Sequence, residues 1–464
     1  MPDSIHLSVT QLTHDLAAYS GPLTRRLMSA LRDGVRNGDL PADAVLPPSR
    51  TLAAELGCSR WVVTETYGQL VAEGYLSSTT GSGTRVRNLG GTAPGPPHGD
   101  LQPAGRPRFD LAPGIADLAG FPRSRWAESY RRAVAHRQTD LLSDTSLVST
   151  VAARGVITDH LRRTRHVRED PGQLSLTTSA TAAAGWVARL LVSLGHRRIA
   201  VEDPSWPGVR EAASRSGLQS VPIDVDDEGL CVGQLADHDL RAVIVTPAHQ
   251  FPTGVAMSAE RRVELINWAE RVDGVIIEDD YDAEFRYDSR PIASLQGMAP
   301  DRVVLLGSLS KSLSPAIGVG WMIMPQWLIL RILADDLDRG TGASVFAVDA
   351  LSIMIENGWY ERHLRSMRSS YRKRRAALVQ AIADLLPQCR VRGMEAGMHL
   401  LLDLPAGTDA AVVVRRAREL DVGVVDLDRY RIRPANEPAL VLGFGNLRSG
   451  RERQAVTLLR DALG

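Results

Sequence analysis

Short apolar runs rich in β-forming residues recur from Phe109 onward, and amphipathic stretches with helical periodicity lie between them. This alternation predicts an α/β fold, in which helices pack against a central sheet. In such folds ligands bind beyond the carboxyl ends of the strands. The residues that follow each run are therefore the first candidates for a functional site. The runs are Ile199–Val201, Ala242–Thr246, Val275–Glu278, Val303–Leu306 and Trp321–Met324.

Polar side chains are concentrated directly at the ends of four of these runs. Chance placement would scatter them along the chain, so the concentration indicates that the sheet carries its chemistry there. The four segments are Glu202-Asp203-Pro204, the TPAHQFPTG stretch at 246–254, the EDDYD stretch at 278–282, and the turn Ser310-Lys311.

Lys311 is one of two lysines in the 464 residues, and the other is Lys373, in an arginine-rich run. Arginine supplies positive charge as well as lysine does, but it cannot lose its proton and attack a carbonyl group. A lysine kept at a strand end, in a chain that otherwise uses arginine, therefore indicates Schiff-base chemistry. A surface lysine on a loop is the alternative. Lys373 fits that alternative better, as one charge on a solvated helix face.

An acid and a tyrosine at one strand end, with a lysine at another, suit pyridoxal phosphate. Its ring nitrogen needs an anion to stay protonated, its ring hydroxyl needs a hydrogen-bond donor, and its aldehyde needs an amine. We assign Asp279 to the ring nitrogen, Tyr281 to the ring oxygen and Lys311 to the Schiff base. A carboxylate metal site built from Asp279, Asp280 and Asp282 is the alternative, although the sequence shows no histidine that clearly joins these acids.

A second pattern lies in the first hundred residues. Apolar residues at three- and four-residue spacing predict a helix from Pro22 to Asn37. Two further helices are predicted at 49–56 and 59–73, joined by a tight glycine turn, with Ser59 as the N-cap of the second. Such a pair is a helix-turn-helix whose second helix reads the major groove of DNA. Residues 75–87 predict a two-stranded wing. A small helical domain with a hairpin is the alternative.

Composition limits the possible partners. Lys plus Arg and Asp plus Glu both number 54, so the whole chain carries no strong field for nucleic acid or membrane, and any DNA-binding surface must be local. The cysteines, Cys58, Cys231 and Cys389, are too far apart to indicate a disulfide framework or a metal cluster. The sequence shows neither a signal peptide nor a membrane-spanning run, and we expect a cytoplasmic protein.

Longer motifs carry a resemblance to known families. LPPSR at 46–50 and GSGT at 81–84 resemble the winged helix-turn-helix of GntR-type bacterial regulators. TPAHQFPTG, EDDYDAEFRY at 278–287 and GSLSKSLSP at 307–315 resemble a fold-type-I aminotransferase domain. Together the two halves resemble a MocR-type regulator. This resemblance implies a homodimer that binds a double-stranded DNA operator, with pyridoxal 5'-phosphate as effector or prosthetic group.

The resemblance also implies site residues. The DNA contacts fall on Arg50, Ser59, Arg60, Trp61, Thr64 and Gly83. The cofactor contacts fall on Asp279, Tyr281, Lys311, Ser179, Ala180, Thr181, Trp206, Ser308 and Ser310.

Some positions depart from the family pattern. Gly318 stands where the family has the arginine that binds the cofactor phosphate, and Ser179 replaces a glycine of the phosphate turn. Trp206 replaces a tyrosine, residues 144–149 replace a Tyr-Gly-Asp loop, and Val441 aligns with the arginine that binds the substrate carboxylate. Losing a charge-assisted hydrogen bond of about 1.5–3 kcal/mol weakens binding about tenfold or more. The departures favour a sensor over an efficient aminotransferase.

We therefore predict a mainly α winged helix-turn-helix at 20–88, a Pro- and Gly-rich linker at 89–108, and a fold-type-I aminotransferase-like α/β domain at 109–464, with a smaller C-terminal subdomain from about residue 346. The predicted function is DNA-binding transcriptional regulation by a protein that binds pyridoxal phosphate, for example in vitamin B6 control, without efficient transamination. Two alternatives stay open. One is a pyridoxal-phosphate-dependent aminotransferase with a fused DNA-binding domain, and the other is a regulator whose pocket no longer binds the cofactor.

Overall fold

The computed structural model describes residues 16, 19–79, 83–87, 106–139, 151–169, 173–287, 293–334 and 342–464. The chain divides into two compact units, residues 1–104 and residues 105–464. Among the described residues, no helix is both long and apolar enough to cross a membrane. The three cysteines are present as free thiols.

Between residues 19 and 87, the described part of the N-terminal unit combines three helices with a small sheet. The first helix ends where Gly38 adopts left-handed backbone (φ 84°) and its N–H donates to the carbonyl of Val35. Within the described part of this unit, the strands form an antiparallel sheet in the order β1-β3-β2, so the predicted two-stranded wing gains a third strand. The elements are α1 Leu23–Asn37, β1 Val45–Leu46, α2 Ser49–Glu55, α3 Arg60–Ala72, β2 Leu76–Thr79 and β3 Gly83–Val86.

The core of this unit holds the two helices of the helix-turn-helix together. Leu27 of α1, Leu52 of α2, and Val63 and Leu70 of α3 are buried against one another. Ser59 lies at the N-cap position of α3 with extended backbone, but its side chain makes no capping hydrogen bond. The predicted N-cap position is therefore confirmed, and the free N–H groups of this exposed helix start can be satisfied by water instead of by the Ser59 side chain.

The larger unit is built on one mixed sheet. Within the described residues its strand order is β5-β12-β11-β10-β9-β6-β7-β8. Strands β7, β6, β9, β10 and β11 run parallel to one another. β12 runs antiparallel to β11, and β5 antiparallel to β12, so β5 points the same way as the parallel strands. The bounds are β4 Phe109–Asp110, β5 Leu174–Thr177, β6 Arg198–Asp203, β7 Gln219–Asp226, β8 Gly229–Leu230, β9 Ala242–Val245, β10 Val275–Asp279, β11 Val303–Ser308 and β12 Gly320–Ile323.

Helices cover both faces of this sheet, which confirms the predicted α/β fold. The central strands β9, β10 and β11 are buried along their whole length, so their sequences are apolar on both faces. One face packs against Val187 and Leu191, and the other packs against Leu265 and Trp268. The helices are α4 Arg123–His136, α5 Val151–Arg165, α6 Ala180–Ser193, α7 Pro207–Arg215, α8 Ala259–Arg271, α9 Leu295–Met298, α10 Gln326–Ala334, α11 Val345–Glu356, α12 Trp359–Leu385, α13 Ala410–Glu419 and α14 Glu452–Leu463.

A second sheet forms in the C-terminal part of this unit, where the sequence predicted a smaller subdomain. Within the described residues its order is β13-β14-β17-β16, with every pair antiparallel. β15 pairs with β4, which ties the segment that follows residue 105 to this part of the fold. The bounds are β13 Arg390–Arg392, β14 His399–Asp403, β15 Val422–Gly423, β16 Val425–Asp426 and β17 Ala439–Gly443.

Gly443→Ala is expected to destabilise the larger unit. The added Cβ would lie 2.3 Å from the carbonyl oxygen of Ala112, which is backbone and cannot rotate away. Forcing extra atoms into a packed interior typically costs about 1–3 kcal/mol. The measurement is the thermal unfolding midpoint, with Gly233→Ala as the control, because the Cβ added there meets nothing within 4 Å. Equal midpoints for the two variants would contradict this close approach.

Candidate functional site

A cavity of about 280 Å³ opens at the carboxyl edge of the central strands. The sequence assigned residues to a cofactor at four separated places in the chain, and the structure brings all of these residues to the cavity wall. They are Ser179, Ala180, Thr181, Trp206, Asp279, Tyr281, Ser308, Ser310 and Lys311. Their contact with a cofactor stays a prediction, but their convergence follows directly from the parallel strand order.

The sequence analysis missed other residues that line this cavity. Thr246 and Phe251 lie inside the TPAHQFPTG stretch, so that motif contained their signal. Gly114 had no local signal, because it reaches the cavity through the pairing of β4 with β15 and the bond from the Gly443 N–H to the Leu111 carbonyl.

Lys311 projects its amine into this cavity. The amine donates to the carbonyl oxygen of Gly114 at 2.6 Å and lies 5.5 Å from the centre of the Trp206 ring. Burial lowers the pKa of Lys311 below its usual value, and the carboxylates of Asp279 and Asp282 partly oppose that shift. A lowered pKa increases the share of neutral amine, which is the form that attacks a carbonyl.

Asp279 presents an unpaired carboxylate at the end of β10. It is buried, and its Oδ1 has no hydrogen-bond partner among the described residues. Burial raises the pKa of Asp279 from 3.8 to about 7, although the nearby amine of Lys311 lowers it. A buried acceptor without a donor is costly, so it indicates a place where a ligand supplies the missing proton.

The acids next to Asp279 are used by the fold. Arg165 holds Asp280 in a two-pronged ion pair, with N–O distances of 2.6 and 2.7 Å. Glu278 accepts the backbone N–H groups of Leu295 and Gln296 at the start of α9. The carboxylates of the EDDYD stretch therefore point to different partners, and the alternative of one metal site shared by Asp279, Asp280 and Asp282 is not supported.

Asp282 does have histidine neighbours, contrary to the sequence analysis. His249 Nδ1 lies 2.9 Å from Asp282 Oδ2 and 3.1 Å from the Tyr281 hydroxyl. His399 lies close by, and one donor atom from each of Asp282 and the two histidines falls within 4.8 Å of the others. The sequence could not show this cluster, because His399 lies on β14, 150 residues after His249, and the two come together only in the tertiary fold.

The wall next to Ser179 has the features of an anion site. Ser179 caps α6, and its hydroxyl accepts the backbone N–H of Ala182 at 3.1 Å. The start of a helix carries free N–H groups and partial positive charge, which favour an anion. Gly318 ends the turn after Pro315 with left-handed backbone (φ 67°). None of the described residues that line the cavity is an arginine.

Another part of the cavity wall is aromatic. Trp206 stacks on Tyr430 with ring centres 6.1 Å apart and meets Phe251 edge-on at 5.4 Å. Val441 is buried in β17 beside Phe251 and Tyr430, so the position aligned with the carboxylate-binding arginine is apolar here. The replacement loop at 144–149 lies outside the described residues.

The residues predicted to contact DNA form an exposed set on the N-terminal unit. Trp61 leaves 65% of its surface exposed at the start of α3, where a tryptophan without a partner would be unfavourable. Arg60 donates from Nε to the Ser49 hydroxyl at 3.3 Å, which links α3 to α2. All of the predicted residues are exposed, namely Arg50, Ser59, Arg60, Trp61, Thr64 and Gly83.

Comparisons with known proteins cover both units. The aminotransferase class I and II family matches residues 114–438, and the bacterial regulatory proteins of the gntR family match residues 23–86. The solved structure of an archaeal alanine:glyoxylate aminotransferase has a TM-score of 0.69 at 22% identity, covering 76% of this chain and 90% of that chain. A kynurenine aminotransferase from Pyrococcus horikoshii has a TM-score of 0.68 at 22% identity, with the same coverage of 76% and 90%. These structures confirm the fold of the larger unit.

Full-length relatives carry both units together. The HTH-type pyridoxine biosynthesis transcriptional regulator PdxR of Corynebacterium glutamicum is 32% identical over 94% of this chain and 95% of its own. The probable rhizopine catabolism regulatory protein MocR of Rhizobium meliloti is 30% identical over 95% of this chain and 94% of its own. The chain therefore belongs to the MocR-type transcriptional regulators of the GntR superfamily, in which a winged helix-turn-helix is joined to an aminotransferase class I and II domain.

Proposed function

We propose that this regulator binds pyridoxal 5'-phosphate in the cavity of its larger unit and uses the cofactor as a signal. The observation that carries the proposal is that one cavity contains both an amine with a lowered pKa, on Lys311, and a buried acceptor without a donor, on Asp279. An amine for the aldehyde and an anion for the ring nitrogen are the two groups that this cofactor needs most. When bound, the cofactor supplies an electron sink to any carbon attached to its imine.

The remaining walls fit the rest of the molecule. Tyr281 offers a hydroxyl to the ring oxygen, and Trp206 offers an aromatic face. The start of α6, capped by Ser179, offers N–H groups to the phosphate. Because no described wall residue is an arginine, we expect weaker phosphate binding than an arginine would give, by about tenfold or more.

The substrate side favours sensing over turnover. An amino-acid substrate brings a carboxylate, which must be held for productive orientation. Phe251 lines the cavity there, and Val441, buried in the same apolar cluster, stands where a cation would be needed. A ligand without that carboxylate, such as the cofactor itself, loses nothing at this wall. PdxR is named as a pyridoxine biosynthesis regulator, and we propose vitamin B6 control for this chain on the same chemical ground.

A working aminotransferase is the second candidate, favoured by the presence of Lys311, Asp279 and Tyr281 in one cavity. The test is incubation of the cofactor-loaded protein with a panel of amino donors. The sensor proposal predicts that the visible band of the bound cofactor persists and that no keto acid forms. Release of keto acid in large excess over the protein, when a second keto acid is supplied to accept the amino group, would establish the enzyme instead.

The DNA-binding half leads to a prediction for Arg60. Arg60→Ala is expected to weaken binding to the chain's own promoter DNA by about 1–3 kcal/mol if the side chain reaches a base edge. We propose that binding occurs as a homodimer in the cytoplasm on a two-half-site operator. The measurement is fluorescence anisotropy at several salt concentrations. Arg453→Ala removes the same charge from an exposed ion pair with Asp384 in the larger unit and serves as the control. Equal DNA affinities for the two variants would show that Arg60 does not contribute to the interface with DNA.

A further inference from the structure

We infer that His249 is a positioning residue that keeps the Tyr281 hydroxyl turned toward the cavity. This inference rests on the proposed function, because it concerns what Tyr281 offers to the ring oxygen of the cofactor. His249 lies outside the cavity wall, immediately behind Tyr281. Its Nδ1 is 3.1 Å from the Tyr281 hydroxyl and 2.9 Å from Asp282 Oδ2. The two rings stack with centres 6.2 Å apart and planes inclined by 26°.

The Asp282 carboxylate competes with a ligand in the cavity for the proton of the Tyr281 hydroxyl. Its Oδ2 lies 2.9 Å from His249 Nδ1, which in turn lies 3.1 Å from the Tyr281 hydroxyl. Burial and the negative charge of Asp282 both raise the pKa of that hydroxyl. If Tyr281 donated its proton to this carboxylate, the proton would point away from the cavity and would be lost to a ligand. If His249 carries its proton on Nδ1, this N–H donates to the Asp282 carboxylate and also lies beside the Tyr281 oxygen, on the side away from the cavity. Tyr281 is then free to donate its own proton forward.

The surroundings favour that tautomer. His249 Nε2 is buried and has no partner among the described residues, so a proton placed there would be an unpaired buried donor. His399 packs against His249 with ring centres 4.9 Å apart, and burial lowers its pKa well below the usual value. A neutral His399 offers no competing charge. Among the described residues, the ionisable side chains in contact with His249 are thus Asp282, Tyr281 and His399.

The backbone makes room for this pair. A Cβ at Gly397 would lie 2.2 Å from His249 Cε1 and 2.6 Å from Asp282 Oδ2. Gly397 also takes left-handed backbone, with φ 68°. The histidine and the carboxylate therefore occupy space that any other residue at position 397 would fill. This close fit indicates a pair held in one arrangement, as positioning requires.

The test measures the pH midpoint of the visible absorbance band that forms when pyridoxal phosphate is added. A donor on the ring oxygen weakens that oxygen's hold on the imine proton, so losing the donor raises the midpoint. Tyr281→Phe gives the reference shift. His249→Leu is expected to raise the midpoint in the same direction, by about one pH unit, the amount expected for the loss of one hydrogen bond. His249→Asn keeps a side-chain nitrogen near the position of Nδ1 and is expected to restore most of the wild-type midpoint.

His399→Leu is the matched control, since it makes the same change at an equally buried histidine that does not contact Tyr281. It is expected to leave the midpoint unchanged. An unchanged midpoint in His249→Leu, or an equal shift in His399→Leu, would overturn the inference while leaving the proposed function intact. If His249→Leu does not fold, His249→Phe keeps a ring and is read in the same way. Wild-type protein that forms no band would overturn the proposed function and the inference with it.

Discussion

Lys311→Ala protein is expected to form no visible absorbance band with pyridoxal phosphate and no borohydride-stable adduct. The wild-type protein is expected to form both. The physical reason is that an imine needs a primary amine with a free electron pair. Lys311 is the only lysine on the cavity wall among the described residues, and its pKa is lowered there by burial. Absorbance spectra and peptide mass analysis after reduction measure the effect.

Lys373→Ala supplies the control. Lys373 is the other lysine of the chain and lies exposed on α12, so removing it tests whether any lysine will react. The band and the adduct should persist in this variant. Retention of the band in Lys311→Ala, or its loss in Lys373→Ala, would show that the cofactor does not attach where the cavity predicts.

Asp279→Asn is expected to stabilise the ligand-free protein at pH 8 and, at the same time, to weaken cofactor binding. Burial raises the pKa of Asp279 in the folded protein from 3.8 to about 7. The stability that comes from a raised pKa is complete below the unfolded value and is lost as the pH rises through the folded value. Ligand-free wild-type protein therefore carries a buried charge at pH 8 at a cost on the order of a few kcal/mol. Asparagine removes the charge, so the variant should melt at a higher temperature at pH 8 and at the wild-type temperature near pH 4.

The same change should weaken cofactor binding. Asparagine cannot pair with a protonated ring nitrogen as a carboxylate does. A lost charge-assisted hydrogen bond of about 1.5–3 kcal/mol corresponds to roughly 10- to 150-fold in affinity. Thermal scans without ligand and cofactor titrations at pH 8 measure the two effects. Asp239→Asn, at an exposed position, is the control and should change neither quantity. A variant that is less stable at pH 8, or that binds with wild-type affinity, contradicts the role assigned to Asp279.

The sequence predicted the parts of the site that are local in the chain. Strand-end residues such as Asp279 and Lys311 follow apolar runs directly, and parallel strands bring their carboxyl ends to one edge. The helix-turn-helix was predictable for a similar reason, since its helices and glycine turn lie within about thirty residues. In both places the local pattern and the tertiary fold agree.

Other parts depend on contacts between distant segments. Gly114 reaches Lys311 only because β4 pairs with β15, which lies more than 300 residues later in the chain. His249 follows β9 and His399 begins β14, and the two histidines meet only in the folded chain. The antiparallel direction of β12 also has no signal in its own residues, since a buried apolar strand reads the same in either direction. Long-range pairing of this kind cannot be read from periodicity or motif spacing.

Pyridoxal phosphate is proposed here to be a signal for DNA binding. The most direct measurement is the affinity of wild-type protein for its own promoter DNA at constant salt, with the cofactor varied from zero to saturation of the visible band. We expect this affinity to change by about fivefold or more, which is the lower range for coupling between two sites. Lys311→Ala should bind the DNA without responding to the cofactor. An affinity and a footprint that stay unchanged while the cofactor site fills would contradict the claim.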